Sequence, residues 1–165
     1  MIPLRDTQPS HSTPFVTVAI IAVNILVFFY QLSLDPYELN WFISHYAVIP
    51  DRLQYYDLVT SMFMHGGWMH LIGNMWFLWI YGDNVEDILG HGKYVIFYIV
   101  CGVAAALAHA TLQPESRVPT LGASGAIAGV MGAYMVKFPH SRIITLVFIF
   151  IFITTVEIPA VLILL

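Results

Sequence analysis

The sequence predicts an all-α fold, a polytopic bundle of transmembrane helices. Hydrophobic residues make up 59% of the 165 positions and charged residues only 10%. The mean hydropathy is +0.78, and the apolar residues fall into five separate segments. With so few charges, most of the surface must face lipid rather than water. The small, scattered net charge of -4 gives no indication of a nucleic-acid partner.

The five apolar segments follow one another with short polar breaks. The first, at about 15–34, is uncharged and long enough to cross a hydrocarbon core of ~30 Å. The aromatic and acidic stretch 35–57 predicts a structured loop at the membrane interface. The remaining four segments run at about 68–81, 94–112, 124–136 and from 143 to the last residue, 165. Residues 1–13 are thus expected to form a short tail and residues 14–165 a membrane domain.

The distribution of basic residues predicts the orientation. With the N-terminus in the cytoplasm, the cytoplasmic side holds four of the six basic residues, namely Arg5, Lys93, Lys137 and Arg142. Since cytoplasmic loops are enriched in Lys and Arg, this is the expected direction of the bias.

One serine lies among small residues in the run TLGASGAIAG at 120–129. The helix that Ser124 opens spans ~20 Å to Lys137, less than the ~30 Å core, so Ser124 should lie below the outer surface. His70 lies ~18 Å along the second segment from Gly82, at a similar depth, and Asn74 follows one turn away on the same face. We therefore expect a serine, a histidine and an amide to converge in one buried polar pocket.

The same small residues also fit a simpler interpretation. Gly125, Gly129 and Gly132 form a small-xxx-small pattern that lets helix backbones touch. In that case Ser124 would only bond back to a carbonyl of its own helix. The residues alone leave both interpretations open.

Two motifs resemble the rhomboid intramembrane serine proteases: HGGWMHLIGNM at 65–75, followed by GASG at 122–125. The resemblance extends over nearly the whole chain. It implies a core of six helices, of which five are predicted here, with the serine at the top of a short fourth helix in a water-filled cavity. It also implies cleavage of a peptide bond within or beside a substrate's transmembrane helix, with no metal or cofactor.

The resemblance assigns roles to individual residues. Ser124 matches the nucleophile, while His70 and Asn74 match side chains that stabilise the oxyanion together with the backbone N–H of Ser124. His65 is interpreted as structural, at the entry to the second helix.

This sequence departs from the family pattern at the catalytic base. In the family the base is a histidine on a sixth helix, and this sequence stops before such a helix. Because a serine hydroxyl is a poor nucleophile without a base, the chain as given is expected to be a truncated, inactive form of the protease. The depth of His109 along the third segment would allow it to act as the base, but we expect this histidine to form a hydrogen bond at the outer interface instead.

Glu157 and Pro159 stand out in the last apolar segment. If this segment is a helix, Glu157 lies ~22 Å beyond Arg142, close to the depth of Ser124. An intramembrane carboxylate is a functional candidate, and the proline invites a kink. Since helix five borders the substrate route in the family, these residues are predicted to shape a gate. The alternative is a protonated glutamate that faces cavity water.

Other functional classes are less well supported. The acidic run 82–87 is interpreted as a helix junction, and it lies on the opposite side of the membrane from His65 and His70, so no metal site is expected. A non-catalytic relative that binds transmembrane helices remains the alternative to a protease. A small transporter is weaker, because intramembrane charges are few and no inverted repeat is evident.

Overall fold

The computed structural model describes residues 1–149 and 152–164, and most of these residues are helical. The long helices are α1 (Phe15–Ser33), α4 (Trp68–Leu89), α5 (His91–Leu112) and α6 (Ser124–Lys137). Between α1 and α4 the chain forms α2 (Pro36–Tyr46) and the short α3 (Asp57–Thr60), so the predicted loop at 35–57 is indeed structured. The short helix α7 (Ala160–Leu164) lies near the end of the chain.

Helices α1 and α5 have the character of membrane spans. Among the described residues, these two helices are long and apolar enough to cross a bilayer. Only 22% of the apolar window of α1 and 17% of that of α5 is buried inside the protein. Their apolar side chains therefore point outward, as expected of helices whose solvent is lipid.

Helix α4 is longer than the sequence predicted. The acidic run 82–87 was expected to break the helix, but α4 continues through it to Leu89 and the chain turns at Gly90, where φ is +74°. The prediction of a helix junction at this run is wrong, because Asn84 and Glu86 are buried and hydrogen-bonded within the fold: Asn84 donates to the Asp6 carboxylate, and Glu86 accepts the Thr17 N–H of α1. Their polar groups are satisfied without a turn.

Glu86 ties three helices together. Its carboxylate accepts the backbone N–H groups of Val16 at 2.9 Å and Thr17 at 2.8 Å, and the Thr17 hydroxyl at 2.7 Å. It also lies 2.6 Å from Nδ1 of His91, at the start of α5. Since α1 has no capping side chain of its own, this carboxylate satisfies the free N–H groups of its first turn and complements its dipole.

Helices α5 and α6 are in close contact through glycine. A Cβ atom on Gly125 would lie 2.5 Å from Cβ of Ala105, and one on Gly129 would lie 2.4 Å from Sγ of Cys101. The predicted small-residue contact surface is therefore confirmed at these two glycines. Gly132, by contrast, has open space where its Cβ would be.

The last apolar segment was predicted to be a helix, and this prediction is wrong. It forms β2 (Arg142–Ile149) and β3 (Phe152–Pro159), which pair antiparallel, and β1 (Ile2–Asp6) adds to the other edge of β2. The sheet order is β1-β2-β3, so the fold is mostly helical rather than all-α. The physical reason is a high density of β-branched side chains, which are restricted in a helix and pack well on a sheet. They include Ile143, Ile144, Thr145, Val147, Ile153, Thr154, Thr155, Val156 and Ile158.

Candidate active site

Ser124 is the first residue of α6, and its side chain is exposed. The loop before it is held on two sides. Thr120 and Val48 exchange two backbone hydrogen bonds, at 2.8 and 3.0 Å, and the N–H of Gly122 donates to the carbonyl of Ser61 at 2.9 Å. The serine is therefore presented from an anchored loop at a helix N-terminus.

Gly122 is the point where α4 meets this loop. Its φ is +127°, a conformation that side-chain-bearing residues rarely adopt. A Cβ here would lie 2.7 Å from both Cε1 and Nε2 of His70. Because only glycine leaves room, the imidazole of His70 packs against the backbone two residues before Ser124. The structure thus brings His70 to the serine loop.

The hydrogen bonding of His70 indicates where its proton lies. The N–H of Gly66 donates to Nδ1 of His70 at 3.4 Å. A nitrogen that accepts a hydrogen bond is unprotonated, so the neutral ring carries its proton on Nε2. This nitrogen is one of the two ring atoms nearest to Gly122. The Nε2–H of His70 therefore faces the serine loop.

Asn74 is buried, with 9% of its surface exposed. Its Nδ2–H donates to the carbonyl of His70 at 2.9 Å, one turn back in α4. The amide that was predicted to join the pocket is thus on the expected helix, but it is engaged within that helix.

A cavity of about 180 Å³ opens beside Ser124. Its polar wall is formed by Ser61, His109, Thr120 and Ser124, and its remaining wall is mainly small residues of α5 and α6, including Gly102, Ala105, Ala106, Gly125 and Ala126. Nε2 of His109 lies 2.9 Å from the Thr120 hydroxyl, as expected of a histidine engaged in a local hydrogen bond. A cavity of this size holds several waters.

His65 is 2% exposed, and its two ring nitrogens have no hydrogen-bond partner among the described residues. Its ring meets that of His70 edge-on, with the ring centroids 5.0 Å apart. Burial, together with the neighbouring His70, lowers the pKa of His65 to about 4. His65 is therefore neutral at physiological pH, which agrees with the structural role that the sequence indicated.

Glu157 and Pro159 do not lie on a fifth helix. Both are in β3, and the exposed carboxylate of Glu157 is 3.5 Å from Nη1 of Arg142, which follows α6. This places Glu157 beyond the Lys137 end of α6, opposite to Ser124. The depth on which the gate prediction depended is wrong, because the segment is extended rather than helical.

Gln31 is a buried polar residue that the sequence motifs did not indicate. This side chain is buried near the end of α1, where it hydrogen-bonds both backbone groups of His65. The available signal was a glutamine inside an otherwise apolar segment, since polar residues within membrane helices usually have a partner.

The structure is mostly helical, has two helices with the character of membrane spans and places His70 against the loop that leads to Ser124. A family model described as the Rhomboid domain matches residues 52–165. The chain is 34% identical over 96 residues to Rhomboid protein 1, mitochondrial, of Saccharomyces cerevisiae, which covers 56% of this chain and 28% of that protein. It is 31% identical over 128 residues to the human Presenilin-associated rhomboid-like protein, mitochondrial, which covers 75% and 33% respectively.

A bacterial relative is similar as well. The chain is 34% identical over 82 residues to Rhomboid protease GluP of Bacillus subtilis, which covers 50% of this chain and 16% of that protein. The chain spans a third or less of the length of each of these relatives. It belongs to the rhomboid family, a family of membrane proteins.

Proposed function

We propose that this chain carries the nucleophile of an intramembrane serine endopeptidase that cleaves the transmembrane helices of other proteins. The observation that supports this best is the contact at Gly122, where the imidazole of His70 packs against the loop two residues before Ser124. A packing seam alone would not require this contact. The similarity to a relative named as a rhomboid protease agrees with the proposal.

The chemistry assigns a part to each group. Amide hydrolysis passes through a tetrahedral oxyanion, which preorganised N–H donors stabilise by roughly 3 kcal/mol each. The backbone N–H of Ser124 at the start of α6 and the Nε2–H of His70 are two such donors. Asn74 would add a third after giving up its bond to the His70 carbonyl. Attack by Ser124 also needs a base, for which the family resemblance implies a histidine on a sixth helix.

The proposed substrate and location follow from the surface. The outward apolar faces of α1 and α5 fit a multi-pass protein in a lipid bilayer, with the N-terminus in the cytoplasm. A substrate helix in the same bilayer reaches Ser124 by lateral diffusion, and the cavity supplies the water that hydrolysis consumes. No metal or cofactor takes part in this scheme.

The test is reaction of the serine with a fluorophosphonate probe in the full-length protein, in parallel with cleavage of a reconstituted transmembrane substrate. Ser124→Ala is expected to abolish both. Ser33→Ala, which changes a serine at the end of α1 that bonds only to the Tyr30 carbonyl, is the matched control and should retain both. Equal labelling of wild type and Ser124→Ala would contradict the proposal.

A non-catalytic protein that binds transmembrane helices is the second candidate. A groove of about 450 Å³ between α1 and α4 is lined entirely by apolar side chains, among them Ile25, Leu71 and Trp79. Such a surface fits an apolar helix. Under this candidate, the Ser124→Ala variant would still co-purify with the transmembrane helix that it binds and would keep the function of the wild type in cells. Under the protease proposal, the same variant would lose that function.

A further inference from the structure

Gln31 holds the backbone of His65 at two points. Its Nε2–H donates to the His65 carbonyl at 3.2 Å, and its Oε1 accepts the His65 N–H at 3.0 Å. The side chain is only 5% exposed. This is the pattern of a strand partner, and it fixes the peptide units on both sides of His65.

The hydrogen bond from Gln31 to the His65 carbonyl also orients the N–H of the next residue, Gly66. The C=O of His65 and the N–H of Gly66 belong to one planar peptide unit, and the described chain has no cis peptide bond. In a trans unit these two groups point in opposite directions. When Gln31 binds the carbonyl, it therefore aims the Gly66 N–H away from α1, and this N–H donates to Nδ1 of His70.

We propose that Gln31 is a positioning residue that selects the tautomer of His70. By orienting the Gly66 N–H toward Nδ1, it keeps the proton on Nε2, the nitrogen that faces Gly122 and the serine loop. The effect on the tautomer stands by itself, while the effect on catalysis rests on the proposed function.

A second buried amide on the same helix provides the matched comparison. Asn24 is fully buried, but its Nδ2–H donates to the carbonyl of Ile20 within α1, at 2.8 Å. It lies two turns from Gln31 and does not share the contact with His65. Asn24→Leu should therefore disturb the packing of α1 and leave His70 unaffected.

The experiment is ¹⁵N NMR of the full-length protein labelled on its histidine side chains, with the His70 signals assigned by their loss in His70→Asn. The ring nitrogens have distinct shifts when protonated and unprotonated. In wild type we expect His70 to be protonated on Nε2. In Gln31→Met, which keeps the volume and removes both bonds, a measurable fraction of the molecules should carry the proton on Nδ1, because the hydrogen bond that Nδ1 accepts is what sets the tautomer.

The outcomes are distinguishable. A folded Gln31→Met protein whose His70 remains fully protonated on Nε2, or Asn24→Leu with the same tautomer change, overturns the proposal. If Gln31→Met does not fold, Gln31→Asn tests the same point, because its shorter amide reaches at most one of the two groups. If Ser124 proves catalytic, the Gln31 variants should lower kcat in proportion to the lost tautomer with KM unchanged. An inactive wild type with the expected tautomers would contradict the proposed function alone.

Discussion

Glu86→Gln is the substitution expected to destabilise the fold most clearly. Each carboxylate oxygen of Glu86 has two partners. Oε1 accepts the Val16 N–H and faces Nδ1 of His91, while Oε2 accepts the N–H and hydroxyl of Thr17. In glutamine one oxygen becomes an NH₂ group, which cannot accept the backbone N–H of Val16 or Thr17 that points at it. The negative charge at the start of α1 is lost as well.

The magnitude follows from this count. One hydrogen bond from a backbone N–H to a charged acceptor is lost, at about 1.5–3 kcal/mol. The lost negative charge at the N-terminus of α1 adds about 1–2 kcal/mol, as for a partly buried charge that interacts with a helix dipole. At roughly 2–4 °C per kcal/mol for a chain of this size, the melting temperature should fall by about 5–20 °C.

Cys101 provides the assay, because it is the single cysteine of the chain and its Sγ packs where α5 meets α6, beside Gly129. A thiol-reactive fluorogenic dye added to the protein in detergent reports exposure of this thiol as the helices separate. Wild type and variant are compared at one scan rate, since unfolding of membrane proteins is often irreversible.

Asp87→Asn is the matched control, one residue further along α4. This carboxylate accepts the N–H of His11 from the polar N-terminal segment at 3.1 Å and is solvated, so its loss should leave the melting temperature close to that of wild type. Equal melting temperatures for Glu86→Gln and wild type would refute this account of Glu86. Destabilisation of Asp87→Asn by as much as Glu86→Gln would refute it as well.

Three further predictions concern single positions. Gly122→Ala should destabilise the protein by about 1–3 kcal/mol through backbone strain and abolish fluorophosphonate labelling, because its Cβ would enter the imidazole; wild-type labelling would contradict this. Gly129→Ala should lower the melting temperature measured by circular dichroism, since its Cβ would lie 2.4 Å from Sγ of Cys101. Gly132→Ala should instead be stabilised by up to about 1 kcal/mol through helix propensity. A higher melting temperature for Gly129→Ala than for Gly132→Ala would refute the packing argument. The pKa of His65 is lowered from 6.5 to about 4, so the unfolded chain binds the proton first and stability should fall by up to about 3 kcal/mol between pH 6.5 and 4. His65→Phe should flatten this dependence in pH-resolved melting curves, and an unchanged slope would show that another group titrates.

Much of the helical part could be predicted from the sequence, since hydrophobic segments separated by polar residues report directly on burial in lipid or protein. The starts of α1 and α6 at Phe15 and Ser124 agree with the structure, and the two motifs at 65–75 and 122–125 pointed to the family that the comparisons show. The same method failed for the last segment. Hydropathy does not distinguish an apolar helix from an apolar β-hairpin, and in this stretch the β-branched side chains decide for strands.

The sequence by itself determined the membrane class, the family motifs and the serine, because composition and short spacings are properties of the chain alone. Only the tertiary structure decided three features: the partners of Glu86, the contact of His70 with Gly122 and the two hydrogen bonds between Gln31 and His65. Each joins residues that are far apart in the sequence or in different helices, and a buried polar group acquires its partner only when the helices pack. For the same reason, only the packed structure indicates which nitrogen of His70 carries its proton.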